Sequence, residues 1–400
     1  MKRKCTVGKA PPGRLVEKRP ATEHRSYAKI SAAGEGGDAV DMNFSLQVAK
    51  SVLRVDGPPY KNTACSPLSV YAVLSILAAG SDGQIREQLL RVMERDSVDE
   101  LHDLASRLAE ILEGDYDEDA PDICFANALW VADRLTLKEP FKNILRDVYK
   151  TEARAVDFVN QLSLSLSLNL NLNLGVWVDT FKPEDTKDDD FYLLNGDKVR
   201  APFMRQRHGR FDYGTLEGCK VLRMLYREGE KRGEKKPSFS MYIFLPNEKD
   251  GLPNLMNSIK MDANLFKEQI ELKYEQIDKL YIPKFNFECD VSLVQSMNQL
   301  GLTLPFDKVH CELTRMVDCP NEDDCPFVNA IYQKCRIETN EKGTKAAAFT
   351  RVHLATMAAR LPPPPPPVDF LADHPFLFMI REDFSGAVLF IGTVLNPVSS

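Results

Sequence analysis

One histidine and three cysteines fall close together in the chain: His310, Cys311, Cys319 and Cys325. Imidazole and thiolate are zinc ligands, but this spacing matches no common zinc framework, and DCPNEDDCP reads as an acidic surface loop. No metal and no cofactor are expected. The six histidines are otherwise scattered. No G-x-S-x-G elbow, Walker loop, Rossmann glycine fingerprint or H-E-x-x-H helix occurs. No catalytic residue emerges, and the chain is not expected to be an enzyme.

A second stretch carries chemistry of another kind. Residues 341–361 read EKGTKAAAFTRVHLATMAARL. This is long for a loop, and long loops in compact proteins are functional or disordered. Thr344, Ala346, Ala348, Thr350, Val352, Leu354 and Thr356 form one alternate set, all small or apolar. Lys345, Ala347, Phe349, Arg351, His353, Ala355 and Met357 form the other and hold every charge among these fourteen residues. Period two is the pattern of a strand with one buried face. A short helix or flexible linker is the equal alternative, because alanine favours helix. Six prolines follow at 362–367, which favours a stiff polyproline rod that pairs poorly as a strand.

Such a loop must be held by a scaffold, and the 400 residues, 44% hydrophobic, supply ample core. Apolar periodicity predicts helices from Asn43, over 66–79, over Val98–Leu112, near 138–153 and over 290–301. Strands are predicted at 123–132, 238–245, 280–288, 374–380 and 387–395. Helices come mostly first and strands later, which is an α+β pattern. Residues 1–41 read as a disordered extension. From Met1 to Lys29 they carry nine basic and two acidic side chains. The net charge of −7 argues against nucleic acid, and no apolar run is long enough for a membrane. No secretory signal is evident, so most of the nine cysteines are read as reduced. The cytoplasm is the expected compartment, with the nucleus next and the exterior last.

The scaffold carries a resemblance. CSPLSVYAVLSILAAGS, FANALWVADRLTLKEPFKNILRDVYKTEARAVDF, FYLLNGDKVRAPFM, LYIPKFNFE, NEKGTKAAA and DFLADHPFLFMIREDFSGAVLFIGTVLNP together resemble the serpins, plant type. The likeness covers 43–160 and 177–400, and the family's C-terminal signature falls on Phe370–Ile380. It implies one serpin domain over 42–400, with 341–367 as reactive-centre loop and tether. It implies a monomeric suicide-substrate inhibitor of a serine or cysteine protease. Glu341, Gly343, Thr344, Ala346, Ala347 and Ala348 would form the loop hinge. The family's loop length sets the scissile bond at Met357–Ala358, with Arg360–Leu361 as runner-up. The alternative is a non-inhibitory serpin-fold protein or defective gene product, cut as a substrate or acting by binding alone.

One segment departs from the pattern. At 162–174 the chain reads LSLSLSLNLNLNL, where the family has a crossing helix and then a central strand of sheet A. Leucine and asparagine are weak strand formers, and a parallel crossover needs a dozen or more residues. A CT nucleotide repeat would encode Leu-Ser alternation, so translated intron is the preferred origin; a replacement strand and a linker are the alternatives. The expectation is that sheet A is incomplete and inhibition poor.

Overall fold

The computed structural model describes residues 42–53, 55, 60–112, 122–158, 163–173, 175–227, 237–262, 265, 269–318, 321, 325–343 and 368–399. The chain divides into Met1–Glu35 and Gly36–Ser400, and every described residue lies in the second unit. The disordered extension expected at 1–41 lies outside the described residues.

The helices are α1 (Asn43–Val52), α2 (Pro67–Gly80), α3 (Gly83–Val92), α4 (Val98–Leu112), α5 (Glu139–Asp147), α6 (Leu252–Ser258) and α7 (Val294–Gln299). α2 begins where its sequence directs it. The Ser66 hydroxyl accepts from Ser69 N at 3.1 Å, and Pro67 occupies the first turn. Every residue of α2 except Ala72 is buried, so this helix lies in the core. No helix among the described residues is long and apolar enough to cross a membrane.

The strands are β1 (Thr63–Cys65), β2 (Asp122–Ala132), β3 (Thr136–Leu137), β4 (Glu152–Val156), β5 (Ser163–Asn173), β6 (Lys187–Tyr192), β7 (Lys198–Leu216), β8 (Cys219–Leu225), β9 (Phe239–Pro246), β10 (Lys273–Pro283), β11 (Phe285–Ser292), β12 (Val317–Asp318), β13 (Phe327–Thr339), β14 (Val368–Leu371), β15 (Phe376–Glu382) and β16 (Val388–Val394). A nine-stranded sheet runs β1-β16-β15-β9-β8-β7-β10-β14, with β6 on β7. A five-stranded sheet runs β11-β13-β5-β2-β4. The strand expected over 280–288 is two strands in different sheets. The chain changes sheet at Lys284, whose N–H donates to Pro202 O at 2.8 Å.

The five-stranded sheet corrects the expectation that a central strand is missing. The repeat is β5, lying between β13, to which it is parallel, and β2, to which it is antiparallel. Leu164 stands opposite Val328 and Val131, and Leu166 opposite Ile331 and Leu129. All six of these side chains are buried. Leu168 and Leu170 fall in register with Gln333 and Cys335, also buried on that face of β13. Ser167, Asn169 and Asn171 align instead with Tyr332, Lys334 and Arg336, which are exposed, whereas Ser163 and Ser165 are buried opposite Phe327 and Ala330. The register thus sets the leucines on the face of Val328, Ile331 and Cys335, and burial of Leu164 and Leu166 outweighs weak intrinsic propensity.

The objection from chain connection fails on direction. β4 is parallel to β2 while β5 is antiparallel to it, so β4 and β5 oppose each other. Their link needs only to step over the end of β2, two strand spacings or ~10 Å. The intervening residues, 157–162, span up to ~20 Å. Six residues are fewer than two helical turns, too short for a helix that crosses the sheet.

Candidate functional site

The loop leaves the five-stranded sheet at the end of β13 and re-enters the chain's described part at β14, the edge of the other sheet. Its two attachments are therefore on different sheets. Thr344, Ala346, Ala347, Ala348, Met357, Ala358, Arg360 and Leu361 lie outside the described residues, as do the prolines. Glu341 and Gly343, the first two of the expected hinge residues, are described.

Both are fastened to the segment that follows β5. Trp177 N donates to Lys342 O at 2.8 Å, and Phe181 N to Glu341 O at 2.9 Å. The indole Nε1 of Trp177 donates to Asn340 O at 3.0 Å. Trp177 is buried and stacks on Tyr226, with ring centroids 4.2 Å apart. Gly343 bridges Val176 and turns back on Asn340 through N–H···O bonds of 3.2 and 3.0 Å. Its φ is +128°, a region that side chains rarely adopt, and an added Cβ would run into the Gly175 carbonyl oxygen.

The Glu341 carboxylate completes the anchor. It accepts from the Thr186 hydroxyl at 2.8 Å and pairs with Lys284 Nζ at 2.9 Å. Burial opposes its ionisation, but the hydrogen bonds from Lys284, its own backbone and Thr186 outweigh that and hold its pKa below the usual carboxylate range. A cavity of about 480 Å³ opens beside it, lined in part by Pro183, Pro202, Lys284, Thr339, Glu341 and Val398.

The sequence reading missed Lys284 and Thr186 as site residues. The signal for Lys284 lay in LYIPKFNFE, where a lysine breaks an apolar run at the change of sheet. The other candidate cluster is not brought together as a site. Cys311 and Cys325 lie side by side, with Cα atoms 4.5 Å apart, and Cys319 lies outside the described residues. Among the described residues no group of three or more His, Cys, Asp or Glu could hold a metal.

A five-stranded sheet with a parallel pair inside it, a chain leaving it past a positive-φ glycine, and its return on the edge of a second sheet define the serpin class of fold. The family model described as Serpin (serine protease inhibitor) matches residues 39–170 and 165–397, two segments that meet inside the leucine repeat. Serpin-Z2B of Triticum aestivum is 33% identical over 389 residues, covering 89% of this chain and 95% of that protein. Serpin-Z3 of Arabidopsis thaliana is 33% identical over 393 residues, covering 89% and 96%. The solved structure of Arabidopsis AtSerpin1 in its native stressed conformation superposes with a TM-score of 0.77 at 29% identity, covering 89% and 97%. This chain belongs to the serpin family, whose members are in general protease inhibitors rather than enzymes, and plant serpins are among its relatives.

Proposed function

We propose that this chain inhibits a serine or cysteine protease as a suicide substrate, with residues 344–367 as bait and the β5–β13 seam as the receiving slot. The observation that carries this reading is the anchoring of Gly343 on Val176 at the head of that seam. The bait begins where the slot begins.

The chemistry falls to the protease. Its nucleophile attacks the Met357 carbonyl carbon, the Met357–Ala358 bond breaks, and an acyl-enzyme forms as the Ala358 amine leaves. A methionine before the cut suits an apolar primary pocket. Arg360–Leu361 is the second choice and suits a trypsin-like one.

Cleavage frees the loop to fold back at Gly343 as a new strand, antiparallel to both β13 and β5. One parallel ladder is then replaced by two antiparallel ones, and antiparallel pairing is the more stable per residue. The inward set Thr344, Ala346, Ala348, Thr350, Val352, Leu354 and Thr356 would meet the buried faces of β5 and β13. Thr344 to Met357 is 14 residues and β13 is 13, so the cut loop reaches the far end of the slot and carries the acylated protease with it. With β5 in place, the expectation of poor inhibition loses one of its grounds, the missing wall of the slot.

The test is incubation with chymotrypsin-like, trypsin-like and papain-like proteases, followed by denaturing electrophoresis. A covalent complex with the protease acylated at Met357 is expected. Clean cleavage near Met357 with no complex in any class would leave the non-inhibitory reading.

A further inference from the structure

Away from the hinge, three thiols converge where β1 meets the five-stranded sheet. Cys289 on β11 and Cys335 on β13 stand directly opposite each other in register. Cys289 Sγ also lies 3.2 Å from Ala64 N, which donates to it, and 3.2 Å from Ala64 O, to which the thiol donates while protonated. Cys65, the residue after Ala64, is buried, as is Cys335. Cys289 is half-buried, on the edge strand of its sheet, and is the member of the group that solvent reaches.

We propose that Cys289 and Cys335 form a peroxide-responsive dithiol that closes to a cross-strand disulfide, stapling β11 to the strand that walls the β5–β13 seam. The backbone already satisfies the distance requirement. Directly opposite residues of an antiparallel pair have Cα atoms ~4.5 or ~5.5 Å apart, and both values lie inside the ~4.4–6.8 Å range of disulfides. The two thiols are also electronically unequal. A hydrogen bond from the Cys335 thiol outweighs burial and lowers the Cys289 pKa, with the Ala64 N–H assisting. That same contact, with burial, raises Cys335. Cys289 is thus the nucleophile and Cys335 the resolving thiol.

With hydrogen peroxide as oxidant, the Cys289 thiolate attacks one oxygen. The O–O bond breaks, hydroxide leaves and is protonated to water, and Cys289 becomes a sulfenic acid. The Cys335 sulfur then attacks the Cys289 sulfur. The S–O bond breaks, and the leaving hydroxide takes the Cys335 proton as a second water. Two thiols and one peroxide give one disulfide and two waters. Cys65 is left out because it does not stand opposite Cys289 and burial pushes its pKa upward.

The experiment treats the full-length protein with stoichiometric hydrogen peroxide, blocks residual thiols and maps peptides by mass spectrometry without reduction. A Cys289–Cys335 linked peptide, two hydrogens lighter than its parts, is expected. The variant Cys335→Ser is treated in parallel in the presence of dimedone, and an adduct on Cys289 is expected because the sulfenic acid has lost its resolving partner. Cys289 and Cys335 remaining as free as Cys219, or Cys289 linked to Cys65 instead, would overturn the assignment. So would an unmodified Cys289 in the variant.

Discussion

Lys284 Nζ lies 2.9 Å from the Glu341 carboxylate, and this pair ties the point where the chain changes sheet to the point where the loop begins. The Thr186 hydroxyl, 2.8 Å from the same carboxylate, adds a third segment. Glu341→Gln keeps the shape but removes the charge that both donors address. A stability loss of about 1 kcal/mol is expected, read by urea denaturation, together with faster opening of the hinge, read by proteolysis between residues 344 and 357.

The same carboxylate gives a pH dependence of known sign. Its pKa is lower in the folded protein than the ordinary 4.5. A depressed pKa contributes stability that is fully present above the unfolded value and lost as pH falls through the folded one. The hinge is therefore secure at neutral pH and loosens progressively below about pH 4.5. Hydrogen exchange at the Trp177 and Phe181 amides, which donate to Lys342 and Glu341, reports it. In Glu341→Gln the acid-induced rise should be absent.

Gly343 occupies backbone that a side chain adopts only with strain, against the Gly175 carbonyl. Gly343→Val should cost about 1–3 kcal/mol and release the hinge from Val176. The expected result is a lower Tm with protease cleavage retained, and a shift from covalent complex toward cleaved product.

The repeat can be tested as a strand directly. Leu166 is 1% exposed between Leu129 and Ile331. Leu166→Ala should cost about 2–5 kcal/mol, the range for emptying a core leucine site. A change within about 0.5 kcal/mol, as at a surface position, would mean that the segment does not hold the sheet together.

Insertion itself is tested by charge on one alternate set of loop residues. Thr350→Arg puts a guanidinium on the set proposed to face inward, where burying an unpaired ion costs several kcal/mol. Phe349→Arg puts it on the outward set. Nicking the loop should raise the Tm of the unmodified protein and of Phe349→Arg, measured by calorimetry, and leave that of Thr350→Arg unchanged.

Much of this was legible along the chain. The α2 helix is written in Ser66, Pro67 and an unbroken apolar run, and the turn at Gly343 in its glycine, because capping, apolar burial and glycine freedom are local properties. The long strand β7 was not legible, since MRQRHGRFDYG carries charge where strand patterns look for alternation. Its pairing with β10 and β8 decides it. The split of LYIPKFNFE between two sheets was equally hidden, because both halves are apolar and only the neighbours differ.

The leucine repeat divides the two kinds of information most clearly. The sequence by itself determined that one face of 162–174 is apolar and the other polar, and that no helix fits before it. It could not determine direction. Whether six residues suffice to join β4 to β5 depends on whether the strands run together or oppose each other, and that is a property of their shared neighbour β2. Tertiary structure also decided that Lys284 and Thr186 meet Glu341, and that Cys289 meets Cys335. These are long-range contacts, and side-chain type reveals what a residue can bind but not which distant segment the sheet register will bring to it.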